Sequence, residues 1–209
     1  MIGALIMTHA DDQGLVLPSK IAPVQVQILQ LGLDEPVQRV VDQLKLDLSK
    51  NYRIKVDASD KTFGYKMSAS EIKGIPIRIE VGMRDVAQEQ VIISSRVGEG
   101  KTAVKLDQVK TFVDQAVITY DQQLFSRAKT SLETRIYQAQ TLSEYQKGIE
   151  TQPGLYLVPF CGRVVCEKEV KQKTSTNSRC IPFNHDQSVE PCFNCGQATK
   201  IKAYFGRAY

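Results

Sequence analysis

Four cysteines near the end of this 209-residue chain constrain its fold more than any other feature. They form two closely spaced pairs, Cys161 with Cys166 and Cys192 with Cys195. A short spacing lets both thiolates of a pair reach one ion from a single turn, and two such turns supply four soft ligands in tetrahedral geometry. The spacing therefore predicts a small domain built around one structural zinc ion.

Disulfide bonds are the alternative to zinc, and the number of cysteines argues against them because all five, an odd count, fall between 161 and 195. The apolar run Ile2 to Met7 is too short to span a bilayer, and no basic segment precedes it as in a signal peptide. We therefore expect a cytoplasmic protein with reduced thiols and no membrane association. Cys180 fits neither pair and is predicted to be a buried small hydrophobe, and His185 is only a weak substitute ligand.

The charge distribution separates the two parts of the chain. Residues 1–152 carry 19 basic and 19 acidic side chains, whereas residues 153–209 carry 8 basic and 4 acidic ones. A basic module attached to a neutral one suggests a phosphate-bearing partner, usually a nucleic acid. A basic surface that serves solubility or docking explains the same charges equally well.

Alternating strand and helix patterns fill roughly residues 24 to 110. Apolar residues recur with period two in the predicted strands and with helical spacing between them. The predicted strands are Val24–Leu31, Tyr52–Val56, Ile75–Val81, Val91–Ser95 and Thr102–Leu106. The predicted helices start at Glu35-Pro36 and at Ser68, the second ending at Gly74. This order indicates an α/β fold with a mixed sheet flanked by helices.

A longer helix is predicted to follow this sheet. Asp107 is placed at its N-cap and its apolar stripe extends to about residue 140, which is long enough to bridge two domains. Ser143 is predicted to cap a further short helix, after which the cysteine-containing domain follows.

No nucleophile, base and orienting group can be assembled from this sequence. Gly98-Glu99-Gly100-Lys101-Thr102 resembles the end of a phosphate-binding loop, but a strand rather than a helix follows it, so we interpret it as a hairpin turn. Taken alone, Glu71 has capping-box spacing from Ser68, Arg78 is an ordinary arginine on the polar strand face, and Arg84-Asp85 is part of a turn. These structural interpretations compete with a binding role.

Taken together, several separate motifs resemble the prolyl-tRNA synthetases of the archaeal and eukaryotic type, over nearly the whole chain. Residues 2–18 are similar to the helix and extension that follow the third class II signature motif. The remaining motifs are Lys73-Gly74-Ile75-Pro76-Ile77-Arg78-Ile79-Glu80, Gly82-Met83-Arg84-Asp85, Cys161-Gly162, Cys166-Glu167, Arg179-Cys180-Ile181-Pro182-Phe183, Cys192-Phe193-Asn194-Cys195-Gly196 and Phe205-Gly206-Arg207-Ala208-Tyr209.

The resemblance implies three regions. Residues 1–23 are a remnant of a catalytic domain, residues 24–135 an anticodon-binding domain with its linking helix, and residues 136–209 a small α+β zinc-binding domain. The family activates proline with ATP, with magnesium as a further possible cofactor, and transfers it to tRNA. Those steps belong to an upstream domain, so this part alone should be inactive. The intact enzyme is expected to be a homodimer, and the terminal Tyr209 to support its active site.

The resemblance also implies roles for five side chains in reading proline tRNA. Its anticodon presents two guanines in a single-stranded loop, whose bases are read on their Watson–Crick edges. Carboxylates accept from the guanine N–H groups, and arginine or lysine suits O6. By position, Glu71 and Asp85 are the expected acceptors, and Arg78, Arg84 and Lys101 the expected donors. A free-standing RNA-binding or adaptor module built from the same two domains is the competing hypothesis.

Overall fold

The computed structural model describes residues 2–98, 100–184, 186 and 188–207. The chain divides into two compact units, Met1–Ser126 and Arg127–Tyr209. The first unit contains a five-stranded mixed sheet, and the second a four-stranded one. The predicted fold class, an α/β sheet domain followed by a small α+β domain, is confirmed, whereas the three region boundaries derived from the resemblance stay predictions.

The chain opens with a short helix α1 (Ile2–Thr8) and a two-stranded ribbon, β1 (Ala10–Asp11) with β2 (Gly14–Leu15). The central sheet of the first unit follows, in the order β4-β3-β5-β6-β7, with β3 parallel to β4 and β5 and the remaining pairs antiparallel. Its strands are β3 (Val26–Leu31), β4 (Ile54–Asp57), β5 (Ile77–Gly82), β6 (Gln90–Ser95) and β7 (Thr102–Lys105).

The helices of the first unit are α2 (Glu35–Leu48), α3 (Phe63–Ile72), α4 (Met83–Val86) and α5 (Val109–Glu133), the last of which continues into the second unit. The apolar faces of α2 and α5 pack on one side of the sheet, where Val37, Val41 and Val113 contact the cluster that contains Ile77 and Ile79. These five residues are fully buried and form the centre of the core. Helix α3 covers part of the opposite side of the sheet, where the alternate residues of β5 point.

Within the first unit, residues 14–22 pack against α3 and α5. The Tyr120 hydroxyl donates to the Leu17 carbonyl at 2.9 Å, and Asp121 accepts from the backbone N–H of Ser19 at 2.8 Å. Gly14 has φ +130°, and a Cβ there would lie 2.4 Å from the Ile72 Cα. Only glycine allows this approach of the ribbon to α3.

The start of α3 and the end of α5 differ from the sequence prediction. Helix α3 begins at Phe63 rather than at Ser68, because the Thr62 side chain accepts from the Tyr65 N–H and caps it. Ser68 is therefore inside the helix, and the predicted capping box with Glu71 is wrong. Helix α5 ends at Glu133 rather than near residue 140, because Ile136 joins a strand of the second unit.

The second unit contains a sheet in the order β10-β13-β9-β8, with β8 parallel to β9 and the other pairs antiparallel. Its strands are β8 (Ile136–Gln138), β9 (Leu155–Pro159), β10 (Thr176–Cys180) and β13 (Lys202–Arg207), and a small ribbon joins β11 (Glu190–Pro191) to β12 (Ala198–Thr199). Helices α6 (Leu142–Thr151) and α7 (Val164–Thr174) complete the unit. Thr141, not Ser143, caps α6.

An aromatic cluster forms the core of the second unit. Tyr145 contacts Phe193 edge-on, with ring centroids 5.6 Å apart. Phe205 contacts Phe160 at 5.1 Å and Phe193 at 5.2 Å. Such edge-to-face pairs contribute about 0.5–1.5 kcal/mol each beyond the area that they bury. Across the residues that the structure describes, no helix combines the length and the apolar character needed to cross a bilayer.

Candidate nucleic-acid interface and metal centre

Two of the predicted guanine-binding side chains contact each other. Arg78 lies on β5 and Glu71 near the end of α3, and Arg78 Nη1 donates to Glu71 Oε1 at 2.8 Å. The Arg78 side chain is 9% exposed and that of Glu71 is 23% exposed. The sequence interpretation of Arg78 as a solvated arginine is therefore wrong, since α3 covers its strand face. The pair is partly desolvated, which strengthens its hydrogen bond.

A second ion pair lies two residues further along β5. Lys101 Nζ donates to Glu80 Oε2 at 2.8 Å. The Glu80 side chain is 7% exposed, and its Oε1 has no hydrogen-bond partner among the described residues. Lys101 Nζ also lies 4.6 Å above the centroid of the Phe63 ring. Lys101 thus joins the hairpin after β6 to the first turn of α3, and Glu80 keeps one free acceptor there.

Arg84 and Asp85 lie beyond the end of β5, in the short helix α4. Arg84 is exposed and Asp85 is partly buried. Across the part of the chain that the structure describes, neither side chain belongs to an ion pair. An Asp85 carboxylate oxygen lies 3.5 Å from the position that a Cβ on Gly82 would occupy. The structure therefore leaves both side chains able to accept a partner.

Glu80 and Phe63 also belong to this surface, and neither was predicted from the sequence. The sequence does contain a signal for Glu80, because Glu80 follows Arg78 at strand period two and so lies on the same face of the sheet. It contains none for Phe63, because α3 was predicted to begin only at Ser68. Lys101 connects Phe63 of α3 with Glu80 of β5.

The four paired cysteines converge in the second unit. Their Sγ atoms all lie within 4.8 Å of one another, and no disulfide joins any of the five cysteines. The Cys166 and Cys192 sulfurs are 3.7 Å apart, and those of Cys161 and Cys195 are 3.8 Å apart. A tetrahedral ion with metal–sulfur bonds near 2.3 Å separates its sulfurs by about 3.8 Å. The residues present therefore fit a single metal ion.

Two turns place these thiols. Cys161 follows β9, and Gly162, with φ +75°, turns the chain so that Cys166 comes from the first turn of α7. The other turn lies between β11 and β12, where the Cys192 N–H donates to the Gln197 carbonyl at 2.8 Å and the Gly196 N–H to the Cys192 carbonyl at 2.9 Å. Both turns are tied to the sheet, since the Phe193 N–H donates to the Pro159 carbonyl at 2.9 Å.

Polar groups surround the sulfurs. Arg163 Nη2 donates to Cys195 Sγ at 3.2 Å, and Asn194 Nδ2 donates to Cys166 Sγ at 3.2 Å. Burial raises the pKa of the Cys166 thiol, whereas a hydrogen bond from the backbone of Gln197 lowers the pKa of Cys195 to about 6. Four thiolates around a divalent ion carry a net charge of −2, which these donors are placed to stabilise.

Three further predictions for this unit concern Cys180, His185 and Tyr209. Cys180 was expected to be buried, but it is exposed at the end of β10. The burial prediction is therefore wrong, although Cys180 does lie outside the cluster. His185 and Tyr209 lie outside the described residues.

Comparison with known proteins agrees with both units. A family profile described as "Anticodon binding domain" matches residues 21–116, and one described as "Prolyl-tRNA synthetase, C-terminal" matches residues 142–209. The proline–tRNA ligase of Mesoplasma florum is 47% identical over 209 residues, which are the whole of this chain and 44% of that protein. The corresponding ligase of Mycoplasma mycoides subsp. mycoides is 50% identical over 210 residues, with the same coverage.

A solved structure has the same fold. The crystal structure of prolyl-tRNA synthetase from Cryptosporidium parvum, complexed with L-proline and AMP, superimposes with a TM-score of 0.93 at 30% identity, over 100% of this chain and 45% of that one. The chain therefore spans less than half the length of the curated relatives that it matches. Because of this partial coverage, the activity of the full-length relatives cannot be assigned to this chain from the similarity alone.

Fold and profile together define residues 21–116 as the anticodon-binding domain of an aminoacyl-tRNA synthetase, a class of domain that binds tRNA. The polar surface on β5 and α3 belongs to that domain, and the thiol cluster to the domain that follows. The chain belongs to the prolyl-tRNA synthetase family and corresponds to the C-terminal part of its proteins.

Proposed function

We propose that the chain is the anticodon-reading part of a proline–tRNA ligase, and that the polar surface on β5 and α3 reads the two guanines of the proline anticodon. The observation that carries this proposal is the arrangement of alternating acceptors and donors, Glu71, Arg78, Glu80 and Lys101, along one face of the anticodon-binding domain. A guanine presents adjacent N–H donors and one carbonyl acceptor on the edge that is read in single-stranded loops.

The chemistry assigns a role to each side chain. The carboxylates of Glu71 and Asp85 accept from guanine N–H groups, and Glu80 Oε1 supplies a further acceptor without breaking its bond to Lys101. Arg78, Arg84 and Lys101 donate to O6 and to phosphate oxygens. Each good bidentate contact contributes about 1–3 kcal/mol of discrimination against a wrong base. Other groups of the loop add affinity that does not depend on sequence.

In the second unit, Cys161, Cys166, Cys192 and Cys195 are proposed to hold one zinc ion. Four thiolates complete the tetrahedral shell and leave no position for a catalytic water, so the ion is structural. When bound, zinc supplies a cross-link between the turn after β9 and the turn after β11. In the proposed enzyme this domain presents Tyr209 to the active site.

The remaining steps belong to the whole ligase. Binding of proline and ATP, with magnesium, and transfer of proline to tRNA are assigned to the part of such a protein that this chain does not span. A homodimer and a cytoplasmic location are proposed for that protein. The full-length relatives named as proline–tRNA ligases support this proposal over a free-standing adaptor module.

The proposal is tested by measuring the affinity of the chain for two anticodon stem-loops that differ only in the anticodon, UGG or UAA. We expect tighter binding of UGG, and Arg78→Gln should remove most of the difference. Arg39→Gln is the matched control, because Arg39 is exposed on α2 and its one ion pair among the described residues is with Glu35 of the same helix. Equal affinity for both stem-loops would contradict the reading of guanine by this surface.

A further inference from the structure

A cavity of about 350 Å³ lies beside the proposed guanine-reading surface, and no step of the proposed function uses it. It is lined by the residues that follow β3, including Leu31 and Leu33, and by those that follow β4, including Lys61. Phe63 and Lys66 of α3 complete the wall. Its volume falls at the small end of the range typical of ligand pockets, about 300–1,000 Å³, and suits one nucleotide.

The topology of the sheet explains why a cavity forms there. Strands β3 and β4 are parallel neighbours, so their carboxyl ends meet at the same edge. The chain leaves β3 for α2 on one side of the sheet and leaves β4 for α3 on the other, since the next strands lie on opposite sides of β3. Connections that diverge in this way open a crevice at the carboxyl ends, which is where ligands of open α/β sheets bind.

A buried cation lies at the inner end of the cavity. Lys66 is 2% exposed, and its ammonium donates to the Gln30 carbonyl at 2.7 Å and to the Asp57 carbonyl at 3.3 Å. Among the described residues no carboxylate forms an ion pair with it. An ammonium has three donors, so one remains for an incoming acceptor.

Gln30 supplies a complementary group. Gln30 is buried and is among the residues that line the same cavity. Its Nε2 donates to the Gly32 carbonyl at 3.0 Å, while Oε1 has no hydrogen-bond partner among the described residues. An unpartnered buried acceptor is costly, and a ligand that donates an N–H to it would remove that cost. The wall of the cavity thus contains one buried acceptor and one buried donor.

Phe63 connects the cavity with the guanine-reading surface. Its ring lines the cavity and also carries Lys101, the partner of Glu80, at 4.6 Å from the ring centroid. Phe63 is 36% exposed, so part of it is open to a ligand. An aromatic ring next to cationic side chains is the usual platform on which bases of single-stranded nucleic acids stack. At the mouth of the cavity, Lys61 suits a phosphate, and Asp60 suits base N–H groups.

We propose that this cavity is a subsite for a third nucleotide of the anticodon loop, one that flanks the two guanines, with its base beside Phe63 and its hydrogen-bonding edge toward Gln30 Oε1 and Lys66 Nζ. The inference rests on the proposed function, because that function brings the loop to the neighbouring surface. It extends recognition beyond the two guanines to a nucleotide that enters the protein.

The test uses the 209-residue chain and a UGG stem-loop in which the nucleotide on the 5′ or the 3′ side of the guanines is made abasic in turn. Removal of the base that enters the cavity should weaken binding roughly 5- to 150-fold, the range of stacking losses. Phe63→Leu should weaken binding of the intact loop and make that abasic change nearly neutral. Phe125→Leu is the matched control, since Phe125 is 70% exposed on α5, away from the cavity.

A site-specific readout accompanies these affinities. A 4-thiouridine at the same flanking position should cross-link to the peptide that contains residues 59–66, and the cross-link should decrease in Phe63→Leu. Circular dichroism establishes that the variant is folded. Free uridine 5′-monophosphate should not displace the loop at submillimolar concentration, because a free nucleotide lacks the neighbouring guanine contacts.

The outcomes separate this inference from the proposed function. If UGG is preferred over UAA and neither flanking base contributes to affinity, the cavity proposal is wrong and the guanine reading stands. If Phe63 and a flanking base are coupled while UGG and UAA bind equally, the cavity proposal stands and the guanine reading is wrong. The cavity proposal is also wrong if no stem-loop binds. It is wrong as well if a free nucleotide binds in the cavity while removal of either flanking base leaves the affinity for the stem-loop unchanged.

Discussion

Arg78 and Glu71, a donor and an acceptor expected to face guanine, are bound to each other at 2.8 Å. This contact joins two consecutive elements, α3 and β5, across one face of the sheet. Each group is thereby held in position before the ligand arrives, which reduces the conformational entropy that binding must remove. The same pair also protects Arg78, at 9% side-chain exposure, from being a buried unpaired charge.

Arg78→Gln is expected to weaken binding of the UGG stem-loop by about 1–3 kcal/mol and to leave binding of UAA nearly unchanged, because only guanine uses the bidentate donor. Fluorescence anisotropy with labelled stem-loops measures both affinities. Since the change also leaves Glu71 without its partner, the melting temperature should fall slightly. The matched variant Arg39→Gln should change neither quantity, and an equal loss for UGG and UAA would contradict specific reading.

Lys101→Met is expected to lower the stability of the first unit by about 1–3 kcal/mol, because it leaves the Glu80 carboxylate buried without a charged partner. Urea denaturation measures this effect. Lys105→Met provides the comparison, as Lys105 is an exposed residue of the same hairpin. The effect would be refuted by equal denaturation midpoints of the two variants.

Purified chain is expected to contain one zinc ion, and Cys166→Ser should lose it together with much of the folded structure of the second unit. Structural zinc contributes folding free energy directly, so the loss of one ligand removes that contribution. Elemental analysis and thermal melting follow the two effects. Cys180→Ser should behave as the parent chain, because Cys180 is exposed and outside the cluster. Retention of full zinc occupancy by Cys166→Ser would exclude the proposed ligand set.

Arg163→Gln is expected to accelerate zinc transfer to a chelator by up to about tenfold, the smaller end of the range for groups that surround a metal site. The physical reason is the loss of a cationic donor 3.2 Å from Cys195 Sγ, next to an anionic tetrathiolate centre. Colorimetric zinc release measures the rate. Lys168→Gln, an exposed change on α7, controls for net charge alone. The same release rate in both variants would remove Arg163 from this role.

The sequence predicted the order of strands and helices well, because the apolar residues of β5 keep a two-residue period and the buried residues of α2 a helical one. It misplaced the start of α3, since Ser68 and Glu71 have capping-box spacing whereas Thr62, which caps the helix, precedes a less regular segment. It extended α5 through Ile136, because an isolated isoleucine at helical spacing does not reveal that it pairs with β9.

The two candidate sites also differ in how far the sequence alone could predict them. The four cysteines could be grouped from spacing alone, because each pair is local and only the meeting of two turns depends on the fold. The guanine-reading surface needed the resemblance, because Glu71, Arg78 and Lys101 come from three separate elements. The contacts of Glu80 and Phe63 could not be derived from spacing, since they depend on where the hairpin after β6 folds over α3.

Phe193 lies between two of the four cysteines in sequence and is also packed against Tyr145 and Phe205. A change that frees this turn therefore withdraws a ring from the centre of the aromatic cluster as well. If the turn holds zinc, the stability of the whole second unit depends on the concentration of free zinc. Each tenfold rise in free zinc above its dissociation constant then adds about 1.4 kcal/mol to folding. Chains synthesised when zinc is scarce would therefore unfold more often and be degraded by proteases sooner.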